Sequence, residues 1–239
     1  MNVTAVSPAL ALAAALLLAS PALQAQAPPP AQVQDSMAQR MQACVVCHGK
    51  EGRATSDGYY PRIAGKPEGY LYNQLQHFKA GRRRNAAMGH LVQHLSDDYL
   101  REIAAYFAGL DLPYPPARTP RLTPQEQAAA EALVRRGAPE RRLPACVSCH
   151  GAQMAGMLPA TPGLLTLPAD YLAGQLGAWR TGQRRAAEPD CMAEIARRLA
   201  PEEIAAIARW LSTQTLPAGT HAAPPPPDPL PLRCGSAAP

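Results

Sequence analysis

Aromatic side chains are scarce in this chain: 2 Phe, 2 Trp and 8 Tyr among 239 residues, 5% in all. That excludes a large core built on stacked rings and leaves two small cores short of bulk, so that something other than protein is expected to fill them. Long apolar runs are also missing. Ala9 to Ala19 spans 11 residues, about half of the roughly 20 that a membrane-spanning helix requires. No charged residue precedes Asp35, and the balance of 23 Lys and Arg against 18 Asp and Glu gives only +5, spread over both halves. This is not the basic stripe of a nucleic-acid-binding protein, and no nucleic-acid partner is expected.

Proline, by contrast, is plentiful. The 27 prolines gather at the N-terminal edge, between Leu110 and Pro124, and after Leu216, which implies compact units joined and flanked by extended segments. The expected organisation is a leader over residues 1–27, a Pro-rich segment 28–35, a first domain 36–110, a linker 111–121, a second domain 122–216 and a Pro-rich tail 217–239. The short apolar run followed by small residues up to Ala27 reads as a secretory signal peptide, although its first residues hold no Lys or Arg. Export to an oxidising compartment follows.

One arrangement occurs twice. Ala43-Cys44-Val45-Val46-Cys47-His48-Gly49 returns as Ala145-Cys146-Val147-Ser148-Cys149-His150-Gly151. Around it, Tyr70, Leu75, Phe78, Lys79 and Gly81 match Tyr171, Leu176, Trp179, Arg180 and Gly182 at an offset of 101, and Leu95, Ile103 and Tyr106 match Leu199, Ile207 and Trp210 at 104. Offsets that drift so little indicate a duplication with small loop insertions. Each half reads as helices joined by Gly/Pro loops. Ser36 caps a helix over 37–43, Pro67 opens one that stops at Gly81, and Ser96 caps a third with Asp97 and Asp98 at its positive end. In the second half Thr123-Pro124-Gln125-Glu126 is a capping box, and helices are expected over 168–181 and 201–213. With no strand alternation, the class is all-α.

Two thiols three apart lie on one helical turn, with an imidazole directly after the second. A structural zinc site needs about four such ligands brought together, and a redox Cys-x-x-Cys expects a strand-helix context without a fixed His. Covalent haem attachment uses all three residues: Cys44 and Cys47, and Cys146 and Cys149, bond the porphyrin, while His48 and His150 reach its iron. Two haem c groups also supply the missing apolar cores. For the opposite face of each iron, Met88 lies 40 residues after His48 and Met192 lies 42 after His150, each 7 before the matched Leu. Met154 and Met157 follow His150 too closely to serve there; His77, His90 and His94 compete in the first half but have no match in the second. Pro61 and Pro162 stand 13 and 12 residues after the two histidines, placed to offer carbonyls to the outer imidazole N–H. Cys191 and Cys234 are then the two cysteines left free to bridge, with a thiolate role for Cys191 as the alternative. Arg82-Arg83-Arg84 and Arg184-Arg185 read first as solvated charge, with pairing to haem propionates or docking of an acidic partner as the functional alternatives.

The residues from about Gln34 to Gln214 resemble the cytochrome c4 family. The resemblance is carried by Cys44 to His48, Pro61-Arg62-Ile63-Ala64-Gly65, Tyr70 to Leu75, Phe78 to Gly81, Arg84-Asn85, Met88 and Leu95-Ser96-Asp97. It implies two tandem class I cytochrome c domains in the periplasm, with Met88 and Met192 as distal iron ligands. Pro162-Gly163-Leu164-Leu165-Thr166, Cys191 and the tail ending in Cys234 depart from the family pattern. The implied function is electron transfer between respiratory donors and a terminal oxidase or reductase, since two filled axial positions leave no place for substrate. Two alternatives come with it: the cytochrome subunit of a flavocytochrome-type dehydrogenase, and a haem enzyme using Cys191 in the manner of thiosulfate dehydrogenases. Redox proteins are the expected partners, and a peripheral membrane contact through the tails stays an alternative.

Overall fold

The computed structural model describes residues 35–237 apart from positions 56, 119, 120, 218 and 226. The expected leader over 1–27 and nearly all of the segment 28–35 lie outside the described residues.

The described chain is helical. In chain order the elements are α1 (Met37–Arg40), α2 (Gln42–His48), α3 (Glu68–Lys79), α4 (Ala86–Val92), α5 (Asp97–Ala108), α6 (Pro124–Arg136), α7 (Val147–His150), α8 (Ala169–Arg180), α9 (Cys191–Arg198) and α10 (Pro201–Thr213). Single 3-10 turns lie at Lys50–Gly52 and Pro139–Arg141. The single helix expected over 37–43 is instead two: Met41 terminates α1 and starts α2, which runs on into the Cys-x-x-Cys-His motif. A small antiparallel pair, β1 (Gly156–Met157) with β2 (Thr161–Pro162), closes the loop after the second motif. Two residues per strand are too few for an alternation to register in the sequence.

Local chemistry explains the main boundaries. Ser96 Oγ accepts from Tyr99 N at 3.2 Å, and Asp97 and Asp98 sit at the positive end of α5. That helix turns Leu100, Ile103, Ala104 and Phe107 inward. Burial of a side chain such as Leu100 stabilises by about 1.5–3 kcal/mol. Thr123 and Glu126 exchange side-chain-to-backbone bonds of 3.2 and 2.8 Å at the start of α6, and Gly137 ends it with φ 68°.

Two apolar clusters result. The first is built on Met41, Leu71, Val92, Leu100, Ile103, Ala104 and Phe107, where α3 packs on α5. The second gathers α6, α8 and α10 around Val134, Leu172, Leu199, Ile207, Trp210 and Leu211. We call these the first and second lobes. Leu167 and Leu165 join the second cluster from the loop before α8.

The lobes are bonded to each other. Arg83 donates to Gln74 Oε1 (3.0 Å), Gln175 Oε1 (2.8 Å) and the Tyr171 hydroxyl (2.8 Å), while Arg184 donates to Gln175 Oε1 (2.7 Å) and Gln74 Oε1 (2.8 Å). Arg185 N donates to Arg82 O at 2.7 Å. The Pro-rich tail is docked as well: Ala223 N donates to Gly156 O (2.9 Å), Leu158 N donates to Ala223 O (2.8 Å), and Ser236 accepts from Asn73 Nδ2 (2.8 Å) in the first lobe.

Candidate haem-binding sites

In the first lobe, α2 carries Cys44 and Cys47 one turn apart with His48 directly after, and Gly49 ends the helix at φ 74°. There the backbone reverses tightly: a Cβ on Gly49 would stand 2.3 Å from the Ala54 carbonyl oxygen. In the second lobe residues 137–146 separate α7 from α6, so that α7 is a single turn with Cys146 as its N-cap, ending at His150.

The four motif cysteines are free and half-buried. Burial pushes the Cys44 thiol up, with the neighbouring Cys47 adding to this; burial pushes Cys149 up, and Cys146 to about 11. A disulfide oxidoreductase relies on a lowered thiol pKa, so Cys44, Cys146 and Cys149 are not tuned for exchange.

Both imidazoles are buried, His48 at 9% and His150 at 7% exposure. His48 Nδ1 lies 2.9 Å from the Pro61 carbonyl oxygen, and His150 Nδ1 lies 2.7 Å from that of Pro162. A carbonyl only accepts, so Nδ1 carries the proton and Nε2 keeps its lone pair in each ring. Burial lowers both pKa values against the opposing pull of the prolyl carbonyls, favouring the neutral, ligating form. Among the described residues neither Nε2 has a hydrogen-bond partner.

Met88 is half-buried against the first core cluster in the first turn of α4, where Asn85 Oδ1 accepts from its backbone N at 3.0 Å. Met192 is half-buried in the first turn of α9, capped by Asp190 Oδ1 on Ala193 N at 3.0 Å. Neither short helix was expected from the sequence, although Asn85 and Asp190 are good cap residues. Met154 and Met157 are buried, at 4% and 7%. His90 and His94 are exposed, whereas His77 is engaged by Arg82 Nε (3.0 Å) and Ser236 Oγ (3.3 Å). Cys191 and Cys234 are joined by a disulfide. The arginines do not behave as one solvated run: Arg184 is 4% exposed between the lobes and Arg83 faces it, while Arg84 and Arg185 are exposed.

These residues fit a haem c group in each lobe: two free, half-buried thiols beside a buried imidazole oriented by its outer nitrogen. In the second lobe Trp179 Nε1 is also buried with no partner among the described residues, a donor left over for an acceptor outside the chain.

Paired Cys-x-x-Cys-His turns on an all-helical, duplicated fold belong to the class of dihaem c-type cytochromes. Comparison with known proteins narrows this. The family described as cytochrome c oxidase, cbb3-type, subunit III matches residues 29–107. A thiosulfate dehydrogenase electron acceptor of Thiomonas intermedia is 36% identical over 210 residues, 87% of this chain and 90% of the relative. Cytochrome c4 of Pseudomonas aeruginosa is 35% identical over 70% of this chain and 82% of its own length. Among solved structures, reduced cytochrome c4 from Pseudomonas stutzeri superimposes with a TM-score of 0.64 at 30% identity, covering 74% of this chain and 95% of that one. A thiosulfate dehydrogenase of Marichromatium purpuratum gives 0.65 at 34% identity over 77% of this chain, which spans 39% of that structure. The chain belongs to the cytochrome c4 family, has the family's two cytochrome c domains and two covalently bound haem c groups, and is an electron carrier of that type.

Proposed function

We propose that this chain is a periplasmic carrier that takes single electrons from a thiosulfate dehydrogenase and delivers them to a terminal oxidase or reductase. In this reading the domains run over 36–110 and 122–216, and haem c is attached at Cys44 and Cys47 and at Cys146 and Cys149. His48 with Met88 and His150 with Met192 are the axial ligands, and Pro61 and Pro162 hold the imidazoles. The carrying observation is the pair of buried histidines, with Nδ1 held by a prolyl carbonyl at 2.9 and 2.7 Å and Nε2 without a partner among the described residues. Two fully ligated irons pass electrons and bind no substrate. The choice of donor is supported by the relatives in Thiomonas intermedia and Stutzerimonas stutzeri that are named as thiosulfate dehydrogenase electron acceptors.

The disulfide at Cys191 favours a carrier over a thiolate-dependent haem enzyme, because a bridged sulfur has no lone thiolate to offer. The experiment is reduction of the purified oxidised protein by thiosulfate with and without a thiosulfate dehydrogenase. Reduction of both haems only when the dehydrogenase is present supports the proposal; catalytic turnover of thiosulfate by the chain alone overturns it.

A further inference from the structure

Lys66 immediately precedes Pro67, the residue that opens α3 in the first lobe, yet it is only 5% exposed. Its Nζ crosses to the second lobe and donates to the Gly163 carbonyl at 2.8 Å, 97 residues further on. Among the described residues no carboxylate pairs with it, and the charge it feels is the like-signed guanidinium of Arg62. Burial and that neighbour push the ammonium down to about 8, which still leaves it charged at neutral pH. An ammonium taken out of water with a single carbonyl for company is a costly arrangement. Its position shows what it acts on.

Gly163 follows Pro162, whose carbonyl accepts the His150 Nδ1 proton at 2.7 Å. The same loop is pinned by the pairing of β1 with β2 and by Leu164 N donating to Met154 O at 2.9 Å. It is also tight: a Cβ on Gly163 would stand 2.4 Å from the Ala155 carbonyl oxygen. In the first lobe the residue after Pro61 is Arg62, itself buried at 3% and bonded to the carbonyls of Ala64, Leu112 and Pro113. That loop therefore carries its own cation. Gly163 stands where the repeat has Arg62, and Leu167, buried at 6%, stands where it has Lys66. The second lobe has no cation of its own at this loop and receives one from the first.

We propose that Lys66 is a positioning residue for the second haem, fixing the Pro162–Gly163 loop behind His150 from the opposite lobe and placing there a buried positive charge that makes reduction of that haem easier. This rests on the reading of His150 as the proximal ligand. A cation near the iron attracts the added electron, and the low dielectric of the interior keeps that attraction from being screened. Lys66 also contributes a lobe-to-lobe bond, so that the second haem's affinity for electrons depends on the first domain being docked.

The test uses the full haem-loaded chain with Lys66→Met and Lys66→Gln. Reduction potentials are resolved for each haem from its paramagnetically shifted haem methyl resonances, and amide exchange is followed at Leu164. Lys66→Met is expected to shift the second haem's one-electron equilibrium toward the oxidised form by about tenfold, 59 mV, with the first haem changed by less than twofold, and to accelerate Leu164 exchange. Lys66→Gln keeps an N–H donor for Gly163 and is expected to lower the same potential without loosening the loop; it decides the matter if the Met variant does not fold. A change below twofold at the second haem, or an equal shift at both, overturns the proposal. Loss of the His/Met spectral signature at the second haem on the wild-type chain would instead refute the ligand assignment, and the proposal with it.

Discussion

Gly69, the second residue of α3, lies against Pro159 of the other lobe: a Cβ added there would stand 2.9 Å from the Pro159 carbonyl oxygen and 3.2 Å from the Ala160 Cβ. Backbone and a short side chain cannot swing away as a long side chain can. Gly69→Ala is expected to cost about 1–3 kcal/mol and to push the lobes apart, read as a lower Tm together with slower electron exchange between the haems. An unchanged Tm would mean that the lobes are not seated this closely.

His77 sets a pH limit. Burial, then the Arg82, Arg184 and Arg83 guanidiniums, hold its pKa down at about 4 instead of 6.5. Arg82 Nε donates to Nδ1, so the neutral ring donates from Nε2 to Ser236 Oγ. The folded value is depressed, so this contribution is complete above pH 6.5, declines as the pH falls and is gone below about 4. The loss is on the order of 1–2 kcal/mol after allowance for solvent screening. Denaturant midpoints measured from pH 7 to 4 should fall more in the wild type than in His77→Gln.

The disulfide between Cys191 and Cys234 closes a loop with a sequence separation of 43. In the chain-entropy treatment this stabilises by about 4 kcal/mol. Cys191→Ser with Cys234→Ser should lower the unfolding midpoint accordingly and free the tail, seen as faster amide exchange at Gly235, whose N donates to Pro189 O at 2.9 Å. Retention of full stability would show that the tail is held by its other contacts alone.

Met88→His and Met192→His should each lower one potential and leave the other in place, because a thioether favours the reduced iron more than an imidazole does. A drop of tenfold or more, 59 mV, confined to one haem per variant is expected in a spectroelectrochemical titration. If both variants keep two unchanged potentials, neither methionine is a ligand.

Within the two arginine runs, Arg84 and Arg185 are exposed and open to an acidic partner, whereas Arg83 and Arg184 are engaged between the lobes. Arg84→Gln with Arg185→Gln should reduce the salt dependence of electron transfer with that partner, as surface charges are screened over about 8–10 Å. Arg184→Gln should instead lower the Tm with little change in salt response.

Much of this arrangement was legible locally. Ser96, Thr123 and Pro67 announce helices through their own side chains or ring, and the Cys-x-x-Cys-His turns declare haem attachment by the chemistry of three adjacent groups. The short helices around Met88 and Met192 were missed, because seven and eight residues are too few for an apolar stripe to emerge, leaving only the caps Asn85 and Asp190 as a signal. Contacts between the lobes lie beyond local reading: Lys66 meets a carbonyl 97 residues away and Arg184 an amide 110 away. Their trace in the sequence is a charged residue among apolar or repeated neighbours, which looks the same as a solvated one until the partner is placed.

The crossed bonds of Arg83 and Arg184 have a further meaning. Each guanidinium grips both Gln74 and Gln175, and the two arginines pair their backbones antiparallel. The contact is self-complementary, residue for residue, which is the signature of an isologous twofold interface. The two repeats therefore meet through equivalent residues, and the linker makes permanent within one polypeptide a pairing that separate subunits would hold only at sufficient concentration.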